Sequence, residues 1–464
     1  MLKKKEIAEG TVIKAVYPNQ GILCGPEGEK IYVKGVVPGQ RVRVRITKKR
    51  ETHLLGRLLE VLEYSPEETE ICGCSAFPFC GGCLYQYLPY EKQLALKETQ
   101  LQELLRSSVG QETVYDGILG SPSPLAYRNK MEFSFGNERV GGPLHLGLHK
   151  RGTTYDILMA DTCTIVHEDV NAVVRTVWEY CTEKELPHYH KTTNTGFLRH
   201  LLVRRSESTG ELLVCLVTTS GIDHDFSPLA DRLLRLRIGD HPVRFAGILH
   251  GFNDLPADTV QYQRADILYG ADFLTDELLG LRFRISVFSF FQTNTKGAEV
   301  LYGKVREYLG IFTKTAGRKP VIYDLYSGTG TIAQIVSPEA SHVYAVEIVE
   351  EAVESAKKNA LENGITNCTF LCGDVLKMLD EIEERPDFII LDPPRDGIAP
   401  KALQKIMQYD VPKMIYISCK TTSFVRDMAV LHVAGWEMER YAYCDLFPQT
   451  PHIETIVLLQ KLNS

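Results

Sequence analysis

The sequence predicts an α/β protein whose C-terminal part folds as a doubly wound, mostly parallel sheet. After residue 281, short apolar runs alternate with amphipathic stretches, as they do in strand–helix–strand units. Residues 1–62 instead show short β-rich runs between turns, and residues 63–280 show a mixed α+β pattern. Because 464 residues are too many for one hydrophobic core, we expect three domains with the boundaries 1–62, 63–280 and 281–464.

The bulk composition is that of an ordinary soluble protein, with 44% hydrophobic residues, 24% charged residues and a mean hydropathy of −0.12. No apolar run is long enough to span a membrane, and the start, Met-Leu-Lys-Lys-Lys-Glu, lacks the apolar stretch of a signal peptide. We therefore expect a cytoplasmic protein with no membrane partner. In that reducing compartment the twelve cysteines favour core, metal or catalytic roles over disulfides. We also expect the protein to act as a monomer.

The first part of the chain is basic, although the chain as a whole is acidic. Residues 1–57 contain 13 Lys and Arg against 5 Glu, a balance of +8 within a chain of net charge −7. Such a block is typical of a contact surface for a polyanion, and a solvated basic face is the alternative. Residues 41–46, Arg-Val-Arg-Val-Arg-Ile, predict a strand with arginines on one face. We expect residues 8–62 to form a small OB-like β-barrel, which resembles the TRAM domain of RNA-modifying enzymes.

Further elements follow from the hydrophobic pattern. Residues 89–109 have the spacing of an amphipathic helix, and residues 198–219 have that of a β-hairpin. In the C-terminal part we expect strands near 321–326, 342–348, 369–372, 388–391 and 414–418. Helices are expected near 331–336, 350–363, 400–409 and 422–434. Two late runs, 437–446 and 453–460, have no long helix between them and predict an antiparallel pair.

A glycine turn follows the first of the C-terminal strands, in Asp324-Leu-Tyr-Ser-Gly-Thr-Gly330. Glycines let the backbone approach a ligand there, and Glu347, 23 residues after Asp324, lies where an acid meets ribose hydroxyls. The turn continues as Gly-x-Gly-Thr-Ile-Ala rather than as the Gly-x-Gly-x-x-Gly of dinucleotide enzymes, which favours S-adenosylmethionine over NAD. Gly373-Asp374, after a later strand, is placed to contact the adenine. A plain turn is the alternative for the glycines alone.

Three further strand ends carry residues suited to a reaction. Asp392-Pro-Pro-Arg395 holds an aspartate at the sheet edge, and its arginine suits a phosphate or an anionic ring. Cys419 ends a strand just before an expected helix, whose N-terminus would lower the thiol pKa from about 8.5. Glu454 follows a proline-shaped loop and begins an apolar strand. The structural alternatives are a core cysteine and a simple strand-end carboxylate.

A thiolate and a carboxylate beside a methyl donor suit methylation of a pyrimidine at C5. Uracil C5 is a poor nucleophile until a thiolate adds to C6 and makes an enolate. The C5 proton must then be removed by a base before the thiolate can leave. Cytosine-methylating enzymes place their cysteine in a Pro-Cys or Thr-Cys context, so Ser418-Cys419 favours uracil.

With these motifs the chain resembles the RNA uracil-C5 methyltransferase family, and most of all its bacterial branch that acts on 23S ribosomal RNA. The resemblance extends over nearly the whole chain and implies a class I methyltransferase sheet in the C-terminal domain. It implies Cys419 as the nucleophile and Glu454 as the base. It further implies S-adenosylmethionine contacts at Gln292, Tyr326, Glu347 and Asp392. The chain departs from the family at Lys420-Thr421, where Asn-Pro is usual.

A cysteine cluster lies after the expected barrel, in Cys74-x5-Cys80-Gly-Gly-Cys83. These residues are compact enough to enclose one metal centre, and Cys163 is the expected fourth ligand. Four thiolates suit zinc as well as iron, and the resemblance favours a [4Fe–4S] cluster in a structural or RNA-orienting role. Cys72 is an alternative to Cys74. Tyr127-Arg-Asn-Lys130 matches a family segment near the RNA and offers donors to phosphate.

Three hypotheses follow for the function. The first is an enzyme that methylates uridine C5 in 23S ribosomal RNA, on a target base flipped out of its stack. The second keeps the chemistry but changes the substrate to transfer RNA. The barrel and the cysteine cluster favour ribosomal RNA, because the bacterial transfer-RNA branch commonly lacks both. The third is a non-enzymatic RNA-binding assembly factor, which predicts loss of Cys419 or Glu454, and both are present.

Overall fold

The computed structural model describes residues 2–25, 27–69, 73–257 and 259–462. The first strands are β1 (Ile7–Val16), β2 (Gln20–Cys24), β3 (Lys30–Lys34), β4 (Arg41–Lys49) and β5 (Leu54–Glu63). They close into a barrel in the order β1-β2-β3-β5-β4, which confirms the predicted OB-like barrel. In β4 the alternate side chains Val42, Val44 and Ile46 fill the barrel core, as the period of two predicts.

The arginines of β4 point outward, but they do not form one free cationic stripe. Arg41 and Arg43 both form ion pairs with Glu9 of β1, at 3.4 and 2.8 Å. Arg45 forms no ion pair with a described residue, and it lies opposite Arg57 of β5 in the strand register. The predicted contact surface for a polyanion therefore has two halves. Arg41 and Arg43 are held in ion pairs, whereas Arg45 and Arg57 form none with a described residue.

The central elements are α1 (Tyr90–Leu105), β6 (Val114–Leu119), β7 (Lys130–Gly136), β8 (His145–His149), β9 (Ile157–Met159), α2 (Glu168–Glu183), β10 (Leu198–Arg205), β11 (Glu211–Thr218), α3 (Ser227–Leu234), β12 (Arg237–Ile238), β13 (His241–Pro242), β14 (Arg244–Phe252) and β15 (Arg264–Gly270). Seven strands form a sheet in the order β15-β14-β11-β10-β7-β8-β9. Strands β10 and β11 pair antiparallel, which confirms the predicted hairpin. The helix expected over 89–109 is present as α1 and is shorter at both ends.

The C-terminal elements are β16 (Phe273–Leu278), β17 (Leu281–Ser286), α4 (Thr295–Ala316), β18 (Val321–Leu325), α5 (Thr331–Val336), a 3₁₀ turn (Ser337–Glu339), β19 (His342–Glu347), α6 (Glu350–Glu362), β20 (Cys368–Cys372), α7 (Val375–Met378), β21 (Phe388–Leu391), α8 (Pro400–Met407), β22 (Lys413–Ser418), α9 (Thr421–Val433), β23 (Trp436–Cys444) and β24 (Glu454–Lys461). An eight-stranded sheet has the order β20-β19-β18-β21-β22-β24-β23-β6. Strands β18 to β22 are mutually parallel, and β23 and β24 pair antiparallel, as expected. The predicted α/β fold class is confirmed.

Two features of this sheet come from long-range contacts that the sequence pattern does not predict. Strand β6 forms the sheet edge beside β23, although it precedes the other strands by a long stretch of chain. Helix α1 contributes Leu101 and Leu105 to the same hydrophobic core. Separately, the sequence analysis made no prediction for helix α4, which has 22 residues and packs on β22 and β24. Among the described residues no helix combines the length and the apolar character needed to cross a membrane.

The carboxyl ends of the parallel strands bring the predicted motifs to one edge of the sheet. The glycine turn follows β18, Glu347 ends β19, Asp392 follows β21 and Cys419 follows β22. Because β24 runs antiparallel to β22, its first residue, Glu454, lies at the same edge. This edge is where open α/β sheets bind their ligands.

Candidate active site

Cys419 and Glu454 lie beside each other at the ends of adjacent strands. In the register of β22 and β24, Ser418 is opposite Thr455, so Cys419, which follows Ser418, comes next to Glu454, which precedes Thr455. The hydroxyl oxygens of Thr421 and Thr455 lie 2.9 Å apart and connect the two segments. The antiparallel pairing thus brings a thiol and a carboxyl together.

The thiol of Cys419 is half-buried, and its surroundings favour the protonated form. Burial raises the pKa of this thiol to about 11, the carboxyls of Glu454 and Asp392 raise it further, and Arg395 acts in the opposite direction. The expectation that the following helix lowers the thiol pKa is therefore wrong for the free protein. Helix α9 begins only at Thr421, and burial beside two carboxyls outweighs its dipole.

Two carboxyls next to Cys419 also have raised pKa values. Glu454 is only 4% exposed, and burial raises the pKa of its carboxyl to about 8, with a further rise from Asp392 and an opposing effect from Arg395. Burial raises the pKa of Asp392 to about 7. A carboxyl that titrates near neutral pH can accept and release protons there, as a general base requires.

The loop that leads into β24 is held by helix α1 and by the segment that follows the cysteine cluster. Lys97 of α1 donates a hydrogen bond to Asp445 at 2.7 Å. The carbonyl of Gln449 accepts backbone hydrogen bonds from Leu84 and Tyr85, at 2.7 and 3.1 Å. Gln449 has a left-handed φ of 68°, which is unfavourable for a residue with a side chain. These contacts therefore impose the loop shape that delivers Glu454 to the sheet edge.

Asp324, at the end region of β18, is fully buried, and neither of its carboxyl oxygens forms a hydrogen bond within 3.5 Å to a described residue. Burial raises its pKa to about 8, the carboxyl of Asp392 adds to the rise, and the Ala333 amide acts in the opposite direction. Buried carboxyl oxygens without donors are costly, and a positive charge placed near them would favour their ionised form. The site therefore suits a cationic ligand.

The glycine turn after β18 is shaped for close approach. Gly330 has a φ of 68°, and a Cβ atom at this position would lie 2.5 Å from the ring of Phe370. The amide of Gly328 donates to Oε2 of Glu347 at 2.9 Å. Tyr326 has a φ of 68°, and burial raises the pKa of its hydroxyl to about 12. A strained tyrosine in such a turn is typical of a functional site.

Gln292 lies near Tyr302 of α4, which is close to the carboxyls of this site. The sequence analysis missed Tyr302. Tyr302 is buried, and the side chain of Gln292 is near enough to act against the rise in its pKa. Burial raises its pKa, and the carboxyls of Asp392 and Glu454 are near enough to add to the rise. Its place on an amphipathic helix looks like ordinary core, so the pattern gives no signal for it. Asn129 donates to the carbonyl of Gln292 at 2.9 Å and holds this segment in place.

The cysteines of the predicted metal centre line one cavity of about 500 Å³, namely Cys74, Cys80, Cys83 and Cys163. The sulfur of Cys80 accepts the Gly82 amide at 3.3 Å. Burial raises the pKa of Cys163 to about 11, and two backbone amides act in the opposite direction. Within the part of the chain that is described, no three His, Cys, Asp or Glu side chains stand at metal-binding separation. Cys72, the alternative ligand, lies outside the described residues.

The sequence of this chain is similar to those of known RNA methyltransferases. The tRNA (uracil-5-)-methyltransferase family matches this chain over residues 89–462. A protein of Clostridium tetani described as an RNA methyltransferase is 44% identical over 464 residues, which are 100% of this chain and 99% of that protein. One of Caldanaerobacter subterraneus, also described as an RNA methyltransferase, is 44% identical over 436 residues, 94% of each chain.

Among solved structures, Pyrococcus abyssi tRNA (uracil-54, C5)-methyltransferase in complex with S-adenosyl-L-homocysteine superposes with a TM-score of 0.76 at 23% identity. The alignment covers 97% of this chain and 100% of that chain, so the two share a fold. The family match includes every strand end that carries a candidate catalytic or cofactor residue. This chain therefore belongs to the tRNA (uracil-5-)-methyltransferase family and is an RNA (uracil-C5) methyltransferase.

Proposed function

We propose that this enzyme transfers a methyl group from S-adenosylmethionine to C5 of a uridine in 23S ribosomal RNA, through a covalent bond between Cys419 and C6 of the base. The observation that carries the proposal is the juxtaposition of Cys419 and Glu454 at the sheet edge where the glycine turn also lies. Substitution at C5 needs a nucleophile and a base, and these two residues supply one of each.

The residues around the glycine turn fit S-adenosylmethionine, which supplies a methyl group on a positively charged sulfur. The buried carboxyl of Asp324 forms no hydrogen bond within 3.5 Å to a described residue, and Asp392 lies near it, so a cation is the complementary charge. Glu347 has lone pairs left for ribose hydroxyls while it holds Gly328. Tyr326 lies in this turn, and Gln292 acts on Tyr302, whose pKa is also raised by Asp324 and Asp392. The Pyrococcus abyssi enzyme of similar fold was solved with the demethylated product of this donor.

The reaction begins when the Cys419 sulfur forms a bond to uracil C6 and the π electrons of the C5–C6 bond move toward C5 and O4. C5 then forms a bond to the methyl carbon while the bond between that carbon and the donor sulfur breaks. Glu454 accepts the proton from C5, and the electron pair released expels the Cys419 thiolate from C6. The ring is aromatic again, and the thiolate is restored.

The raised pKa of Cys419 sets a condition for the first step. In the free protein the thiol is protonated at neutral pH, so its proton has to leave before or during attack on C6. Arg395 is the cation that lowers the pKa of both Cys419 and Glu454. We infer that Arg395 favours the ionised forms that attack and deprotonation require, because a nearby positive charge stabilises an anion.

Ribosomal RNA is the first candidate substrate. The barrel and three of the four clustered cysteines lie before residue 89, outside the stretch that the family description matches. The family resemblance implies that the barrel and the cysteine cluster are typical of the branch that acts on 23S ribosomal RNA. The free Arg45 and Arg57 pair gives the barrel a place to meet a phosphate backbone.

Transfer RNA is the second candidate substrate. The Pyrococcus abyssi transfer-RNA enzyme shares the fold over 97% of this chain, so the architecture by itself does not separate the two substrates. Mapping of 5-methyluridine in total RNA from a strain that lacks this protein separates them. Loss of the mark from 23S ribosomal RNA supports the first candidate, and loss only from transfer RNA supports the second.

We further propose that Cys74, Cys80, Cys83 and Cys163 hold a [4Fe–4S] cluster, with zinc as the alternative. The four residues share one cavity, and the Gly82 amide directed at the Cys80 sulfur is the kind of donor that cluster thiolates use. The expected role is structural, because Leu84 and Tyr85, just after Cys83, bind the loop that precedes Glu454. Iron, sulfide and zinc contents of anaerobically purified protein, with a Cys80→Ser variant as control, distinguish the two.

The catalytic proposal is tested with Cys419→Ala and with RNA in which 5-fluorouracil replaces uracil. The variant should bind the methyl donor normally and transfer no methyl group. The unchanged enzyme should become covalently attached to the fluorinated RNA, because fluorine at C5 cannot leave as a proton does. Cys24→Ala, an exposed cysteine in the barrel, is the matched control and should be fully active. Methyl transfer by Cys419→Ala at the normal rate would reject the assigned nucleophile.

A further inference from the structure

Residues 393–399 form a loop that carries Arg395 and lies against helix α9; we call it the Arg395 loop. The Ser423 hydroxyl of α9 donates to the carbonyl of Arg395 at 2.7 Å. The Arg426 guanidinium of the same helix donates to the carbonyl of Asp396 at 2.6 Å. Helix α9 therefore holds the backbone of the loop, while the side chain of Arg395 stays exposed.

The loop can come this close to α9 because it has a glycine at position 397. Gly397 has a φ of 75°, and a Cβ atom there would lie 2.5 Å from Nη2 of Arg426 and 2.6 Å from Oδ2 of Asp427. Atoms do not approach so closely, so any other residue would push the loop away from the helix. The contact between the loop and the helix is therefore specified by residues on both sides.

Asp427 of α9 connects the Arg395 loop to the strand that leads to Cys419. Its side chain is buried, and a single oxygen, Oδ2, accepts from the amide of Ile398 at 2.9 Å and from the hydroxyl of Tyr416 at 2.8 Å. Ile398 comes three residues after Arg395, and Tyr416 comes three residues before Cys419. One carboxylate thus binds both segments at the same atom.

The negative charge of Asp427 has a partner in the same helix. The other oxygen, Oδ1, accepts from Nε and Nη2 of Arg426 at 3.0 and 2.8 Å. An ionised acceptor forms shorter and stronger hydrogen bonds than a neutral one. The carboxylate therefore holds its amide and hydroxyl donors more firmly than a neutral side chain of the same size would.

The catalytic sheet does not hold this loop by itself. The pairing of β21 with β22 ends with Leu391 opposite Tyr416, and the amide of Asp392 still donates to the carbonyl of Leu325 at 3.3 Å. Among the described residues, no backbone hydrogen bond joins the Arg395 loop to a strand. Asp392 is thus placed by the sheet, whereas the loop after it is placed by α9.

We propose that Asp427 is a positioning residue for methyl transfer, which fixes the Arg395 loop against the strand that leads to Cys419. The inference rests on the proposed roles of Arg395 and Cys419. The effect of a charge depends on its distance, so the action of Arg395 depends on where its backbone is anchored. A positioning role affects rate more than binding, because small displacements of acting groups cost rate steeply.

The test uses the full chain with Asp427→Asn, at saturating methyl donor and RNA. The amide nitrogen cannot accept a hydrogen bond, so either Arg426 or the pair of Ile398 and Tyr416 loses its acceptor. We expect kcat to fall about tenfold, with little change in affinity for the methyl donor, because Asp392 keeps its place in the sheet. Attachment to 5-fluorouracil RNA should slow by a similar factor.

Asp387→Asn is the matched control. Asp387 also accepts from a backbone amide, that of Val321 at 2.9 Å, and it pairs with Arg318 at 2.8 Å. It precedes β21, however, and so lies at the opposite end of this strand from Asp392. Asp387→Asn should lower stability without a change in kcat at temperatures where both variants stay folded.

A double-mutant cycle with Arg395→Gln tests how Asp427 acts. If it acts through Arg395, Asp427→Asn should slow the Arg395→Gln enzyme no further, because the group that it places is already lost. Multiplication of the two effects would overturn the proposal, and so would a normal kcat in Asp427→Asn or an equal loss in Asp387→Asn. Tyr416→Phe, which removes one donor and keeps the carboxylate, supplies the same comparison if Asp427→Asn does not fold. Activity in Cys419→Ala would instead overturn the proposed function, and that outcome is independent of the result at Asp427.

Discussion

The ammonium of Lys97 lies 2.7 Å from a carboxylate oxygen of Asp445, and both side chains are buried. The same ammonium donates to the carbonyl of Phe447 at 3.2 Å. Burial lowers the pKa of Lys97, whereas Asp445 acts to raise it. This ion pair connects helix α1 to the loop that precedes Glu454, so the position of the proposed base depends on a residue far away in the sequence.

Lys97→Met should therefore destabilise the protein strongly. Removing one partner leaves the Asp445 charge buried without compensation, and we expect the free energy of unfolding to fall by about 3–5 kcal/mol. Lys92→Met on the same helix is the control, because the pair of Lys92 and Glu67 is exposed and should contribute less than about 1 kcal/mol. Urea denaturation measures both. Equal, small losses in the two variants would show that the buried pair does not stabilise the loop.

Glu454→Gln should separate the two halves of the proposed reaction. The amide keeps the size of the side chain but cannot take the C5 proton, so addition and methyl transfer should proceed while release of the RNA slows by roughly 100-fold or more. A protein–RNA adduct should then survive on denaturing gels with ordinary RNA. Glu437→Gln, half-buried in β23, is the control and should leave no adduct. Rapid turnover without an adduct in Glu454→Gln would assign the base to another residue.

Asp324→Asn should change how stability depends on pH. The unfolded carboxyl ionises near 3.8, but the folded one ionises only near 8, so the folded protein holds an extra proton between these values. Stability therefore falls as the pH rises from about 4 to about 8. The variant has no such proton, so its melting temperature should decline less over this range than that of the unchanged protein.

Thermal unfolding at a series of pH values, without methyl donor, measures this difference. Asp231→Asn, on the exposed side of α3, is the control and should follow the unchanged protein. Parallel curves for Asp324→Asn and the unchanged protein would mean that this carboxyl is already ionised in the fold. The raised pKa of Asp324 would then no longer support the proposed cation site.

Arg45→Gln and Arg57→Gln should weaken RNA binding and its salt dependence. Each arginine lacks an ion pair with a described residue, so each is available to a phosphate, and loss of one such contact should reduce the slope of log affinity against log salt by about 0.7–0.9. Arg41→Gln is the control, because Arg41 is already paired with Glu9 and Glu63. Fluorescence anisotropy across a series of KCl concentrations gives the slopes. An effect at Arg41 equal to that at Arg45 would contradict the division of this surface.

The local pattern predicted the C-terminal elements closely. The strand at Phe388–Leu391 was expected over the same residues, and that at Lys413–Ser418 begins one residue earlier than expected. Apolar runs that are buried on both faces leave a strong signal, since every residue in them is hydrophobic. The order of motifs along parallel strands also predicted that Cys419, Asp392 and the glycine turn share one edge, because parallel strands end on the same side.

The expectations that differed from the structure concern residues distant in sequence. The thiol pKa of Cys419 was expected to be lowered by α9, whereas burial and the carboxyls of Glu454 and Asp392 raise it. The arginines of 41–46 were expected to share one face in a basic contact surface, but Glu9 on another strand pairs with Arg41 and Arg43. Pairing across strands and helices has no period along the chain, so no sequence pattern reports it.

The sequence by itself determined the α/β fold class and the barrel and predicted the chemistry, because hydrophobic periods and strand-end motifs are local properties of a chain. Only the tertiary structure decided that Lys97 of α1 pairs with Asp445 in the loop that leads to Glu454, and that Glu454 comes next to Cys419. Helix α1 packs there because docking it buries apolar surface that belongs to distant parts of the chain.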